Sequence, residues 1–133
     1  MSTTLNHLGT QTSTPTESFD LIEWKHGAAT IAINCEEFTS LCPVTKQPDF
    51  GRIVIEYVPD AHIVETKSLK LWLWRWRTRG QFNEEIVAEI AGAFFDQAKP
   101  LRVEVVGFFF EIGDGESVNL RGNFGDEFIG LLQ

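Results

Sequence analysis

Apolar and polar residues alternate with a period of two along GRIVIEYVPD, residues 51–60. Ile53, Ile55 and Tyr57 fall on one face, and Arg52, Val54 and Glu56 on the other. This is the pattern of a half-buried strand, and Pro59-Asp60 ends it. An earlier strand is expected from Ala29 to Asn34, followed by a loop punctuated by Pro43 and Pro48. The segment ETKSLKLWLWRWRTRG fits two periods. Leu69, Leu71 and Leu73 alternate with Lys70, Trp72 and Trp74, as in a strand, while Leu69, Trp72, Leu73 and Trp76 lie at helical spacing. Period alone leaves it open.

Further along, FNEEIVAEIAGAFFDQAKP places Ile86, Ile90, Ala93 and Phe94 on one helical stripe. Glu84, Glu85 and Glu89 sit toward the positive N-terminal end of that helix, and Pro100 stops it. LRVEVVGFFFEI, residues 101–112, reads as an apolar strand covered on both faces or at a subunit interface. The turn GDG and the segment ESVNLRGNF predict a partner strand returning beside it. Strands at both ends with helical material between them make an α+β layout.

Composition narrows the class. The chain has 133 residues and a net charge of −8, with ordinary hydrophobic and charged fractions. That is one globular domain's worth of chain, and the acidic balance argues against a surface that tracks nucleic acid. Residues 1–18 are rich in Ser and Thr and read as a flexible N-terminal arm, leaving 19–133 as a single domain. The start lacks the basic and apolar regions of a secretory signal, and no apolar run reaches membrane-spanning length. A cytoplasmic protein with reduced thiols is therefore expected. Cys35 and Cys42 are the two cysteines, and His7, His26 and His62 are scattered, so no metal site is expected.

Three short stretches carry candidate chemistry. In EEFTSLCPVTKQPDFG, Cys42 is followed by Pro43 and Pro48, which fix the backbone, with Asp49 seven residues on. A buried structural thiol is the ordinary reading of Cys42. The turn favours presentation to a pocket, where Thr39 and Ser40 are expected to donate hydrogen bonds to a thiolate. Asp49 suits proton donation if burial raises its pKa. A cysteine with a carboxyl acid and no histidine suits chemistry that protonates a nitrogen while sulfur holds a carbon. In ETKSLK, Lys67 and Lys70 are helix neighbours in an acidic chain, either a solvated edge or an anion site capped by Thr66 or Ser68. No Rossmann glycine pattern is present. In FNEE, Glu84 is either a first-turn helix acid or an acceptor for a guanine-like ring.

These stretches, in this order, resemble the QueF-type nitrile reductase family, relatives of GTP cyclohydrolase I. CEEFTSLCPVTKQPDFG, VETKSLKLW and FNEE carry the resemblance, with LGTQT a weaker match, over about Leu8 to Gly107. It implies a tunnelling fold (T-fold), an antiparallel ββααββ subunit that joins others into a β-barrel with active sites between subunits. The tryptophan-rich segment from about Ser68 to Arg79 then becomes the first helix. By position, Cys42 resembles the nucleophile that forms a covalent thioimide, and Asp49 the proton donor. Val64, Glu65, Thr66, Asn83 and Glu84 fall where the family contacts substrate. Lys67, Ser68 and Lys70 fall in the segment associated with NADPH. The implied reaction is NADPH-dependent reduction of the nitrile of 7-cyano-7-deazaguanine to 7-aminomethyl-7-deazaguanine, in queuosine or related biosynthesis. The small-molecule substrate and a homo-oligomer are the implied partners, with no nucleic acid and no membrane.

The chain departs from the family at two points. Asn83-Glu84 stands where His-Glu is usual, and EIGDGES lacks an Arg-Gly-Gly turn. Asn83 predicts slower reduction, and both departures bear on the reduction rate and NADPH binding more than on the cysteine step. The competing functions are conversion of the same nitrile to an amidine or amide without NADPH, and a non-catalytic T-fold binding protein. The retained ETKSLK weighs against the first, and the retained Cys42 and Asp49 against the second.

Overall fold

The computed structural model describes Leu5, residues 16–110 and the strand 117–125, with the side chains of that last strand left aside save Gly122. In chain order the elements are β1 (Leu21–Glu23), β2 (Ile31–Leu41), β3 (Pro48–Val58), β4 (His62–Val64), α1 (Thr66–Leu73), a 3₁₀ turn (Trp74–Thr78), α2 (Asn83–Ala98), β5 (Arg102–Phe110) and β6 (Ser117–Gly125). Four strands form one antiparallel sheet in the order β2-β3-β5-β6, and β1 pairs with β4 in a separate ribbon. The main sheet and its two helices follow the expected ββααββ order, and the fold is α+β.

The alternation in β3 holds. Gly51, Ile53, Ile55 and Tyr57 are buried, while Glu56 faces out. In β5, Val103, Val105, Gly107 and Phe109 are buried between half-exposed neighbours, so only one face is covered. This corrects the expectation of a strand covered on both faces, within this chain. β2 runs well past Asn34 to Leu41, with a register shift between Cys35 and Phe38. The bulge lets Cys35 and Phe38 share the covered face although Glu36 and Glu37 separate them.

The tryptophan-rich segment is helical, as the family resemblance implied. It starts at Thr66, is α-helical to Leu73, and tightens to 3₁₀ geometry through Thr78. Trp72 and Trp76 come from this layer, and Phe94 from α2, to meet Tyr57 and Phe109 of the sheet in the core. Phe19 joins them, edge-on to Trp72 at 5.3 Å. Large rings of this kind dominate core energetics.

α2 lays Ile86, Val87, Ile90, Ala91, Phe94 and Ala98 on the sheet. Its contact with β5 is close, because a Cβ at Gly107 would lie 2.8 Å from Val87 Cγ2. The helix ends at Lys99, whose left-handed backbone (φ 50°) replaces the usual glycine stop. Most of the expected N-terminal arm and the GDG turn lie outside the described residues. No helix among the described residues is long and apolar enough to cross a membrane.

Candidate active site

The β2–β3 hairpin delivers Cys42. Leu41 and Pro48 are the last paired residues, and six residues close the turn between them. The Cys42 N–H donates to the Gln47 carbonyl (2.9 Å) and the Lys46 N–H to the Cys42 carbonyl (3.0 Å). Lys46 takes a left-handed φ of 62° to complete the turn. Cys42 is half-buried at the tip. The Thr45 hydroxyl and the backbone N–H groups of Thr45 and Val44 hydrogen-bond to it and pull its pKa below the ordinary thiol value. Slight desolvation and the negative charge of Asp49 act in the opposite sense. The expectation that Thr39 and Ser40 serve the thiolate is therefore corrected: Thr45 does. Thr39 and Ser40 are ladder residues of β2, paired with Phe50 and Asp49. Cys35, by contrast, packs against the core, and burial raises its pKa.

Asp49 lies near the start of β3, on the face that holds Gly51 and Ile53. Burial pushes its carboxyl above the usual range. A thiol with a lowered pKa and a carboxyl with a raised one thus occupy one hairpin. That pairing offers a nucleophile and a proton source without histidine.

The connector between the helices docks onto the same end. The Leu41 N–H donates to the Arg79 carbonyl (3.1 Å), and the Gln81 N–H to the Leu41 carbonyl (3.2 Å). Side chains hold the connector in place. Trp76 Nε1 donates to Gln81 Oε1 (3.1 Å), Gln81 Nε2 to Glu89 Oε2 (2.7 Å), and Arg79 pairs with Glu89 (3.4 Å). The connector leads directly into α2, whose Phe82 cap position supplies no side-chain hydrogen bond. Asn83 and Glu84 form the first turn there. Glu84 is exposed. Asn83 Oδ1 is enclosed without a hydrogen-bond donor. An open depression of about 550 Å³ lies beside the cysteine turn, lined by Pro43, Arg79, Gly80, Gln81, Phe82 and Glu85.

The second group of expected residues lies at the other end of the sheet. Val64 packs in the core, and its N–H donates to the Tyr57 hydroxyl (3.1 Å). Glu65 caps α1, with its carboxylate accepting from the N–H groups of Lys67 (2.8 Å) and Ser68 (2.9 Å). This corrects the expected cap, Thr66 or Ser68. The buried Ser68 hydroxyl donates to the Glu65 carbonyl (2.7 Å) and accepts from the Asp20 N–H (2.7 Å). Thr66 and Lys70 are exposed, and Lys67 is half-buried. Eight residues of extended strand separate Asp49 from Tyr57, about 26 Å at the usual rise. Cys42, Asp49, Asn83 and Glu84 therefore lie toward one end of the chain, and Val64, Glu65, Thr66, Lys67 and Ser68 toward the other, with Lys70 one turn along α1.

Sequence reasoning missed Thr45 and the Arg79–Gln81 connector. The two prolines that mark the turn were the available signal for Thr45, since a hydroxyl between them must lie close to the thiol. Among the described residues, no group of three His, Cys, Asp or Glu side chains is placed to hold a metal.

Comparison with known proteins places the chain. A protein-family profile described as QueF-like protein matches residues 48–121, which include Asp49, the Val64–Lys70 group, Asn83 and Glu84. The chain is 40% identical over 116 residues to an NADPH-dependent 7-cyano-7-deazaguanine reductase of Chelativorans sp. (strain BNC1), covering 82% of this chain and 76% of that one. It is 45% identical over 95 residues to a protein of the same name from Bacteroides thetaiotaomicron, and 43% to one from Oceanobacillus iheyensis. Those two matches cover 71% of this chain but 62% and 57% of the relatives' own lengths. The crystal structure of the archaeosine synthase QueF-Like in its apo form shares the fold, with a TM-score of 0.65 at 19% identity. That likeness covers 77% of this chain and 98% of the other.

Proposed function

The chain belongs to the family of QueF-like proteins, and on that premise we propose that it reduces the nitrile of 7-cyano-7-deazaguanine to the aminomethyl group, with NADPH as reductant. The observation that carries this reading is the Cys42–Asp49 hairpin. Three hydrogen bonds favour the Cys42 thiolate, and burial favours the protonated Asp49. In the first step Cys42 Sγ bonds to the nitrile carbon. One π pair of the C≡N bond moves to nitrogen, and nitrogen takes the proton of Asp49. The product is a covalent thioimide and an Asp49 carboxylate. No leaving group is required, so atoms and charge balance.

Asn83 and Glu84 orient the ring. The enclosed Asn83 Oδ1 accepts one ring N–H. The exposed Glu84 carboxylate accepts the adjacent ring N–H and exocyclic amine as a pair.

The basic residues at the far end fit a phosphate-bearing cofactor. Lys70 is exposed on α1, one turn from Lys67, in a chain of net charge −8. The two ammonium groups would hold the phosphates. Ser68 and Glu65 act through the helix terminus they fix, since their side chains are already engaged in it. Bound NADPH supplies hydride, one equivalent for each of two reductions.

The distance between the two ends makes the site an assembly. A small heterocycle at Cys42 cannot reach the Val64–Lys70 group of its own chain. A second copy brings that group to the hairpin, so the working unit is a homo-oligomer. Coupled assays test the reading directly. The purified protein should oxidise two NADPH per amine formed, and Cys42→Ala should oxidise none. Oxidation that does not depend on the nitrile, or persists in Cys42→Ala, would refute it.

A further inference from the structure

Ser40 is the residue of the cysteine stretch that the proposed chemistry leaves unused. It is fully buried, and its hydroxyl has no hydrogen-bond partner. A buried hydroxyl without a partner is costly, and each such group in a native fold calls for an explanation. Its position supplies one. In the β2–β3 ladder Ser40 stands directly opposite Asp49. Residues so paired project to the same face, with Cβ atoms about 4.5–5.5 Å apart. A serine hydroxyl and an aspartate carboxyl reach hydrogen-bond distance across that gap by side-chain rotation alone. The thiol does not claim the hydroxyl, because the Thr45 hydroxyl and the Thr45 and Val44 N–H groups supply its donors. The resting carboxyl does not use it either, since the Ser40 hydroxyl has no hydrogen-bond partner.

We propose that Ser40 is a positioning residue for the proton transfer, standing free in the resting chain and donating to the Asp49 carboxylate once the proton has passed to the substrate nitrogen. The O–H bond of Ser40 does not break. The proton moves from Asp49 to nitrogen, and Ser40 only turns toward the charge left behind. Such a contact is absent from the ground state and present as charge develops, which is the condition for accelerating a step. The orphaned hydroxyl and the carboxyl opposite it are then two sides of one arrangement.

This inference rests on Asp49 being the acid, so the test separates the two claims. Covalent adduct formation with 7-cyano-7-deazaguanine is timed without NADPH in wild type, Ser40→Ala, Asp49→Asn and the double variant. Ser40→Ala should slow the adduct by about 10- to 100-fold, the worth of a hydrogen bond to a charged group. Alkylation of Cys42 by iodoacetamide, which needs no proton donor, should keep its wild-type rate. Thermal stability should hold or rise, since an unpaired buried hydroxyl has been removed. In the Asp49→Asn background, Ser40→Ala should add nothing, because both changes remove one interaction. Undiminished adduct formation in Ser40→Ala, with Asp49→Asn slow, overturns the role of Ser40 and spares the acid. Multiplying effects of the two variants, or a melting temperature well below wild type, assign Ser40 a packing role and also overturn it. A wild-type rate in Asp49→Asn removes the acid, and Ser40 falls with it.

Discussion

Cys42 and Cys35 show how far environment separates two thiols of one strand and its turn. Both are half-buried, but the first is served by three donors at the turn and the second packs against the core. Iodoacetamide should therefore label Cys42 first, with a rate midpoint below that of an ordinary thiol. Thr45→Val removes the strongest donor and should move that midpoint upward. A midpoint that stays in place would take Thr45 out of the site. Asp49 carries the opposite trade. Its folded-state pKa lies above its unfolded value, so the native state binds the extra proton. Stability is then greatest below the unfolded pKa and declines as pH rises through the folded one. At neutral pH, Asp49→Asn should hold or raise the melting temperature while slowing turnover by about 10²–10⁴-fold. A variant both unstable and fully active would contradict the assignment. The candidate nucleophile and acid were legible in the sequence as residue types at a spacing. The donors to sulfur were not, because hydrogen bonding inside a six-residue turn depends on its backbone path.

At the scale of elements, reading by period succeeded where the pattern was long and failed where it was short or broken. β3 and α2 announce themselves, since each has a clean alternation or stripe over its length. β2 was cut short at Asn34 because the bulge after Cys35 puts Glu36 and Glu37 into the alternation. β1 and β4 have three residues each, too few to establish a period. The Trp-rich segment satisfied both periods, and resemblance to a family resolved it. The start of α1 shows how tertiary placement overrides the usual capping preference. Glu65 is buried, and each of its two carboxylate oxygens holds one N–H of the helix. Glu65→Ala should cost about 1–2 kcal/mol by loss of the cap. The corresponding fall in melting temperature is about 3–8 °C for a chain of this size. Glu65→Gln, which keeps one acceptor, should fall less. An unchanged melting temperature in Glu65→Ala would mean that water replaces the cap without loss.

At the scale of the whole molecule, the long strands bear on how the proposed function is organised. They set Cys42 and the start of α1 toward opposite ends of the chain, a separation the sequence order alone does not reveal. Complementation follows. Cys42→Ala and Lys67→Ala/Lys70→Ala subunits, each inactive or weak alone, should recover activity when unfolded together and refolded as mixed oligomers. Mixtures no better than the sum of the parts would place both ends in separate functions. The most direct test of the central claim is the intact mass of the protein incubated with 7-cyano-7-deazaguanine. Without NADPH the mass should rise by that of one whole ligand per chain, with the added mass on the Cys42 peptide. On adding NADPH it should return to the free value as the amine appears. A mass that never changes, or an adduct that NADPH leaves in place, would contradict the account.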